Sequence, residues 1–463
     1  MVEGSTNTSS IQNRIVDITT VSAQFVIEDD VVFPNGKAAI CGSFGLLVGL
    51  ILASSATPAA AQFGPVISAA GATNRSMGGA STAAPLSAGG ALMWNPATLS
   101  GLKRSELEVG AELLFPHAGV ASQFGPFSGS TKSEDSVFPL PMIALAYGPE
   151  NSPFTFGLGA YAVAGFGLNY PGSNIGPNTN PILLQPPFGV GPIYSQYSVM
   201  QIAPALVYDV TDELSLSFSP LLDIGSAQLD PSLISAPTAG VYPNGTHSSQ
   251  SWGAGYSLGA YYRTDVWGFG ASYKSQQWFQ PYQFNTVSGG VAHGVDFGIS
   301  LPAIVSVGTS YQGIDRLLLA ADLRYLDYNN TSGFGTSGFA PTGALNGVGL
   351  QSIFAVALGA QYQVTDAMTV RMGYSWSQNP VTNAQTSANI ASPLVIQNML
   401  SAGATYNVTR DFSLSLAYTH AFENSVAGPL VTPVGPVPGY RIQSTASVDM
   451  LTVGATVKFG GPR

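Results

Sequence analysis

Phe412-Ser413-Leu414-Ser415-Leu416-Ala417-Tyr418-Thr419-His420-Ala421-Phe422 alternates large apolar residues with small ones. Successive side chains of a strand point to opposite faces. Phe412, Leu414, Leu416, Tyr418 and Phe422 therefore share one face, and Ser413, Ser415, Ala417, Thr419 and Ala421 the other. Residues 354–364 repeat the pattern, with Phe354, Val356, Leu358, Ala360, Tyr362 and Val364 set against Ala355, Ala357, Gly359, Gln361 and Gln363. Residues 451–459 repeat it again, Leu451, Val453, Ala455, Val457 and Phe459 against Thr452, Gly454, Thr456 and Lys458. A soluble sandwich also alternates, but its water-facing side carries charge. Here the polar face is Gly, Ser, Thr and Gln, and the apolar face ends in aromatics, as in a barrel whose outside meets lipid and whose lumen is filled.

Composition agrees. Only 9% of the 463 residues are charged, against 45% hydrophobic and 10% aromatic, where a soluble domain carries roughly 25% charged residues. That apolar content excludes a disordered chain. A net charge of −10 with 15 Lys and Arg argues against nucleic acid as a partner.

A recurring turn marks one end of the strands. Tyr208, Tyr262, Tyr311, Tyr362 and Tyr406 each precede a short polar turn with Asp and then an alternating strand, as in YQVTDAMTVRMGY. Such tyrosines form a girdle at one membrane interface. The segments between these units are longer and rich in Gly, Pro, Asn and Ser, and short turns on one side with long loops on the other is the asymmetry of outer-membrane barrels. The spacing predicts an all-β transmembrane antiparallel barrel of 14 strands, at 105–117, 137–147, 154–168, 194–209, 214–226, 249–263, 267–280, 295–311, 317–328, 350–364, 368–379, 396–408, 412–423 and 446–459. The aromatic strand end at Phe459 resembles the C-terminal signal read by the barrel-assembly machinery, displaced here by four residues.

Ahead of the strands, Lys37, the apolar run 38–53 and the small-residue end at Ala59 and Ala61 have the layout of a secretory signal peptide. We expect residues 1–61 to be an N-terminal extension and signal, cleaved after Ala61; an uncleaved anchor is the alternative, and a start codon further in would explain the unusual length. The single cysteine, Cys41, lies in that segment, so the mature chain has no thiol chemistry. The expected domains are 1–61, a plug over 62–104 and a barrel over 105–463.

Residues 62–104 do not alternate. Phe63 near the expected mature terminus, Arg75 ahead of Met77-Gly78-Gly79-Ala80, and Asn95-Pro96-Ala97 together resemble the N-terminal hatch of the FadL/TodX (OMPP1) family of outer-membrane transporters for hydrophobic compounds and long-chain fatty acids. The alternating region resembles that family's barrel, so the resemblance covers 62–463. One departure stands out: where relatives often carry an acidic pair before Asn-Pro-Ala, this chain reads Pro85-Leu86-Ser87-Ala88-Gly89-Gly90. The resemblance implies a plugged barrel in the bacterial outer membrane, surrounded by its lipid and lipopolysaccharide, and acting as a monomer. It implies passive uptake: binding at extracellular loops, then an interior pocket near the hatch N-terminus, then sideways exit where the third strand bends inward.

Several residues are candidates for that path. In the third strand Gly157, Gly159, Gly165 and Gly167 face the lumen; glycine in a strand marks a bulge or a close backbone approach, so they either open a lateral gate or make room for the hatch. The segments 181–194 and 278–284 are unusually apolar for loops, which makes Leu183, Leu184, Phe188, Trp278 and Phe279 candidates for substrate binding, the alternative being loops folded on their neighbours. Alternation turns Arg263, Lys274, Arg324, Arg371 and Lys458 inward, with Asp322 beside Arg324. A buried charge needs a partner, which is Asp322, another barrel acid, a hatch carbonyl or the carboxylate of a fatty acid; Lys274, Arg324 and Arg371 are the candidates for the last. Phe63, with Val66 and Ile67, is placed by the resemblance at the interior pocket.

No catalytic constellation is visible. His117, His247, His293 and His420 lack metalloprotease spacing, and there is no G-x-S-x-G elbow or Walker A loop. We expect no enzyme, cofactor or metal. The leading function is uptake of fatty acids or aromatic hydrocarbons. A structural or secretion-partner barrel and a general diffusion porin are the alternatives, the second opposed by the 43-residue plug.

Overall fold

A computed structural model of the protein describes residues 62–461 apart from Asp135, His247, Ser248 and Gly289. The signal segment, Cys41 and the cleavage site lie outside the described residues. The wall has fourteen strands: β1 (Ser105–Phe124), β2 (Phe138–Tyr147), β3 (Phe154–Tyr170), β4 (Ile193–Asp209), β5 (Leu214–Asp230), β6 (Ser249–Arg263), β7 (Trp267–Lys274), β8 (Ala303–Ile314), β9 (Leu317–Asp327), β10 (Ile353–Gln363), β11 (Met368–Ser377), β12 (Asn398–Asn407), β13 (Phe412–Thr432) and β14 (Gly435–Phe459). Each pairs antiparallel with the next, and β14 pairs back onto β1 from Phe459↔Ser105 to Arg441↔Gln123. The sheet is thus closed, which leaves no unpaired edge to lipid.

Side-chain exposure follows the alternation. On β13 Leu414, Leu416, Tyr418 and Phe422 are exposed, while Ser413, Ala417, Thr419 and Ala421 are buried. The same outward set on every strand supplies a lipid face of Leu, Val and aromatics. At the short-turn end, Tyr147, Phe154, Tyr208, Tyr262, Trp267, Tyr362 and Tyr406 are exposed, as an interfacial girdle requires.

The structure departs from the expected spans where the backbone chemistry changes. The seventh strand stops at Lys274 rather than 280, and a two-residue strand, Trp278–Phe279, returns to pair with β6. The eighth begins at Ala303, not 295, because Pro302 has no N–H to give a ladder. Residues Val291–Phe297 instead pair with Tyr282–Ser288 in a small sheet off the barrel. The last two strands run on as one hairpin, with bulges at 421/424 and 429/431; its prolines and glycine hid the pairing from a reading based on alternation.

The plug fills the lumen. It comprises two short strands (Gln62–Phe63 and Val66–Ile67), helix α1 (Gly71–Ser76), helix α2 (Ala88–Trp94) and a 3-10 turn (Pro96–Gly101). Ser87 caps α2, accepting from the Gly90 amide, and Asn95 caps the 3-10 turn with Pro96 at its first position, each satisfying amides a helix start leaves unpaired.

Candidate functional site

The hatch is tied to the wall by buried polar contacts. Arg75 grips Glu112 of β1 through two nitrogens, at 2.7 and 2.6 Å, and Thr452 of β14 donates to the same carboxylate at 2.7 Å. Asp322 of β9 accepts from the Ser81 amide, the Thr82 amide and the Thr82 hydroxyl at 2.9, 3.0 and 2.8 Å. The segment that lacks the acidic pair is itself held by barrel acids: Glu106 accepts from the Ala88 amide at 2.8 Å and Glu108 from the Gly89 amide at 2.9 Å. These carboxylates sit at the start of α2, where an anion is favoured. Asn95 donates to Thr82 O at 2.7 Å and to Ala260 O of β6 at 2.9 Å, so the side chain that caps the turn also fastens it to the wall; Ala97 is fully buried beside it. A Cβ at Gly259 or Gly270 would stand 2.1 Å from Asn95 Oδ1 or 1.9 Å from Thr82 O, so the wall glycines there permit the approach.

The hatch N-terminus meets the third strand. The β2–β3 ladder ends at Met142↔Tyr161, although β2 continues to Phe138 against β1. Beyond that point β3 bulges between Ala162 and Ala164. Val66 pairs with Ala164, and the Gly165 amide donates to Pro65 O at 3.0 Å. A hatch strand thus takes backbone bonds that the neighbouring wall strand does not supply. Of the candidate glycines, Gly157 and Gly159 make room for the hatch: a Cβ there would strike Leu99 and Leu92, or Tyr161 and Leu92. The bulge lies at Val163 instead, and its extra residue reverses the faces beyond it: Ala164 and Phe166 register with the buried Val199 and Tyr197, so Gly165 and Gly167, opposite Ser198 and Gln196, turn outward and not to the lumen as alternation predicts.

Beside the bulge is a small cavity, about 10 Å3, room for about one water. Val66, Val163, Trp94, Lys274 and Gln277 line it. Lys274 is buried and donates to Gln201 Oε1 at 3.2 Å; Gln201 in turn donates to Asp223 at 2.8 Å. Arg324 is fully buried, pairs with Asp322 at 2.6 Å and donates to Gly79 O at 2.8 Å. Its guanidinium lies 3.7 Å from the Trp94 ring centroid, a cation–π contact. Its Nε and Nη1 have no hydrogen-bond partner among the described residues. Phe63 is buried, 6.3 Å ring to ring from Trp94 and 5.9 Å from the Arg324 guanidinium, and its carbonyl accepts from the Tyr328 hydroxyl. The candidates Phe63, Lys274 and Arg324 therefore converge on Trp94. Arg371 does not join them: it donates to Gln361 and Thr405 at 2.7 Å each, near the short turns. Arg263 donates to Ser100 O of the hatch at 3.2 Å.

The apolar loop candidates separate. Leu183 and Leu184 are buried in a cluster with Leu168, Tyr170, Ile193 and Tyr440 or at its edge, as loops folded on their neighbours. Phe188 is 78% exposed at a loop tip. Phe279 packs inward against the core, a ring of 5.9 Å centroid distance from Tyr282, whereas Trp278 is exposed on the lipid side with Trp252. Period two sends neighbouring residues to opposite faces, so the two aromatics could not serve one site.

A second cavity, about 90 Å3, lies under the long loops and was not visible in the sequence. Phe166, Tyr197, Phe284, Phe297, Phe334 and Val348 are among its walls. Its residues come from eight separate stretches of the chain, each unremarkable alone. From it a column of rings descends: Phe166 to Tyr197 at 5.5 Å, Tyr197 to Phe334 at 5.7 Å, Phe334 to Tyr328 at 6.2 Å. Tyr328 then reaches Phe63 through its hydroxyl. The wider concavity on the outside of β8–β12 belongs to the lipid face.

Comparison with known proteins places this architecture. Residues 50–459 match the family model described as outer membrane protein transport protein (OMPP1/FadL/TodX). Among solved structures, the toluene transporter TodX of P. putida superposes with a TM-score of 0.63 at 19% identity, over 85% of this chain and 99% of that one. A FadL homologue of Pseudomonas aeruginosa gives 0.64 at 17% identity, over 86% and 100%. The 47 kDa outer membrane protein of Pasteurella multocida (strain Pm70) is 37% identical over 65 residues, a match spanning only 14% of either chain. With its closed 14-stranded barrel and filled lumen, the chain belongs to the OMPP1/FadL/TodX family of outer-membrane transport proteins.

Proposed function

We propose that the protein passes hydrophobic small molecules, fatty acids or aromatic hydrocarbons, across the outer membrane without an energy source. The substrate enters the cavity under the long loops, follows the ring column past Tyr197 and Phe334, and reaches the pocket at Phe63, Trp94 and Lys274. It leaves sideways between β2 and β3. The observation that carries this reading is the backbone substitution at β3: Val66 pairs with Ala164 where β2 no longer does. Unpaired backbone in hydrocarbon is costly, so a wall gap persists only while something satisfies it. A mobile hatch strand can do so and still withdraw. The pocket beside it is one water in size, so passage requires Val66 and Val163 to part.

Arg324 is already neutralised by Asp322. Lys274 is bonded to an amide rather than to a carboxylate, so it is the better partner for a fatty-acid head group. The aromatic end of β14 at Phe459 is proposed as the segment read during barrel assembly, and a barrel closed on itself is proposed to work as a monomer.

The test is uptake of labelled oleate and labelled toluene by cells with and without the protein. Faster uptake of at least one with the protein present is expected; equal uptake of both would refute transport. Deleting residues 62–104 should also create an ion conductance that the intact barrel lacks.

A further inference from the structure

On the outer face of two adjacent strands, β1 and β14, the lipid-facing series ends early and gives way to a polar wall, with His420 of β13 beside it. Climbing from the short-turn end, β1 presents Leu107, Val109, Ala111, Leu113 and Phe115, then His117. β14 presents Val457, Ala455, Val453 and Leu451, then Asp449, Ser447, Thr445, Gln443 and Arg441. The apolar stretch Leu107–Phe115 is nine residues long, about 26 Å along a strand and about 20 Å along the membrane normal once tilted. Asp449 and His117 thus stand where hydrocarbon ends and outer-leaflet head groups begin.

Register places two cations, Lys132 and Arg441, and two imidazoles, His117 and His420, on this one face. His420 pairs with Asp449, and His117 with Ser447. Lys132, on the short strand Phe127–Lys132, pairs with Gly119, which pairs with Thr445. Arg441 pairs with Gln123. Lys132 and Arg441 are exposed. Among the described residues, every other Lys and Arg lies in the hatch, faces the lumen or sits at the short-turn end. Among the described residues the acids nearby are largely engaged: Asp449 accepts from Tyr418 at 2.6 Å and His420 at 2.8 Å, with His117 at 3.8 Å, and Glu134 accepts from Asn169 at 2.5 Å, which leaves Glu423 in the β13 bulge. Charge on a barrel's lipid side is rare, and it is tolerated near the interface. In a chain with 15 Lys and Arg, the two exposed cations Lys132 and Arg441 above the apolar belt ask for an anion there.

We infer that this face is a docking site for a phosphorylated outer-leaflet glycolipid, lipopolysaccharide, with its acyl chains against Phe115, Leu451 and Leu416 and its phosphates against Lys132, Arg441, His117 and His420. Lys and Arg supply charge-assisted bonds to phosphate oxygens. Asp449 holds the two imidazoles on the outer face instead of opposing the ligand.

The test uses the full barrel purified from outer membranes, exchanged into detergent, and titrated with bisphosphorylated lipid A, dephosphorylated lipid A or phosphatidylethanolamine. Bound lipid is read by native mass spectrometry, and barrel unfolding by heat-dependent gel mobility. Bisphosphorylated lipid A is expected to bind and raise the unfolding temperature. The K132Q/R441Q variant is expected to weaken that binding about 30-fold, at roughly one such charge-to-anionic-surface contact per residue lost. Arg316→Gln, on a turn at the opposite end, should leave it unchanged. Both substituted positions are exposed, and an unaltered mobility of the unheated variant certifies its fold. Equal binding of dephosphorylated lipid A, or no loss in K132Q/R441Q, would overturn the inference.

Discussion

The hatch contact at Asp322 makes the sharpest prediction. Asp322→Ala removes one carboxylate that serves two backbone amides, one hydroxyl and one guanidinium. Leaving Arg324 buried without its counter-charge costs about 3–5 kcal/mol. Each amide stranded at Ser81 and Thr82 costs about 1–3 kcal/mol if it stays buried. These terms share one group and do not add in full, so the seated hatch segment should lose about 5 kcal/mol relative to an unseated one. At about 1.4 kcal/mol per tenfold, hydrogen exchange at the Ser81 and Thr82 amides should accelerate by about three and a half orders of magnitude. The wall itself is held by fourteen ladders that Asp322 does not enter through its side chain, so amides of β12–β14 should keep their protection. Asp322→Asn, which retains an acceptor but not the charge, should fall between. Asp322→Ala with unaltered exchange at Ser81 and Thr82, in a barrel that remains folded, would refute the claim that this carboxylate seats the hatch.

Other outcomes follow from the same geometry. Val66→Cys with Ala164→Cys, in a chain whose one other cysteine is Cys41, should form a disulfide on oxidation; uptake should then fall at least tenfold and return on reduction, and uptake indifferent to the cross-link would exclude exit at this gap. Lys274→Met should lower oleate uptake while sparing toluene, measured side by side; equal loss of both would assign Lys274 a structural role. Gly270→Val forces a Cβ to within 1.9 Å of Thr82 O, so the hatch should fail to seat and planar-bilayer recordings should show an open conductance. Tyr328→Phe removes the donor to the Phe63 carbonyl and should loosen the hatch N-terminus by about 1 kcal/mol, seen as faster exchange at Val66.

Alternation alone carried the wall, because in a barrel one physical rule governs every strand: lipid on one side, a packed lumen on the other. That is why the sequence of β13 or β10 identifies its own faces and why the count of fourteen needed no partner information. The rule fails where the chain leaves the bilayer. Residues 424–445 contain Pro429, Pro433, Pro436 and Pro438, lose the two-residue period, and yet form a paired hairpin above the membrane.

At the site the division is similar. Inward cations follow from parity, and the pairing of Arg324 with Asp322 was among the readings open from the start. Their spatial grouping was not: Lys274 and Arg324 both adjoin Trp94, while Arg371, of the same parity, ends up near the short turns. Height along the barrel decides this, and height depends on the register and tilt of strands distant in sequence. The glycines of β3 were visible, but their role was not, because the hatch residues Leu92 and Leu99 that need their space lie more than fifty residues away.

By itself, then, the sequence determined what most wall residues face, since period two and the choice between lipid and lumen are local properties of a strand, while the bulge at Val163 reversed the faces of Gly165 and Gly167 without a local sign. Only the tertiary structure decided what meets what: that Glu106 and Glu108 hold the start of α2, that Val66 completes β3, and that aromatics of wall strands and loops enclose one cavity. Those contacts join residues set by closure of the sheet, and closure has no local signature.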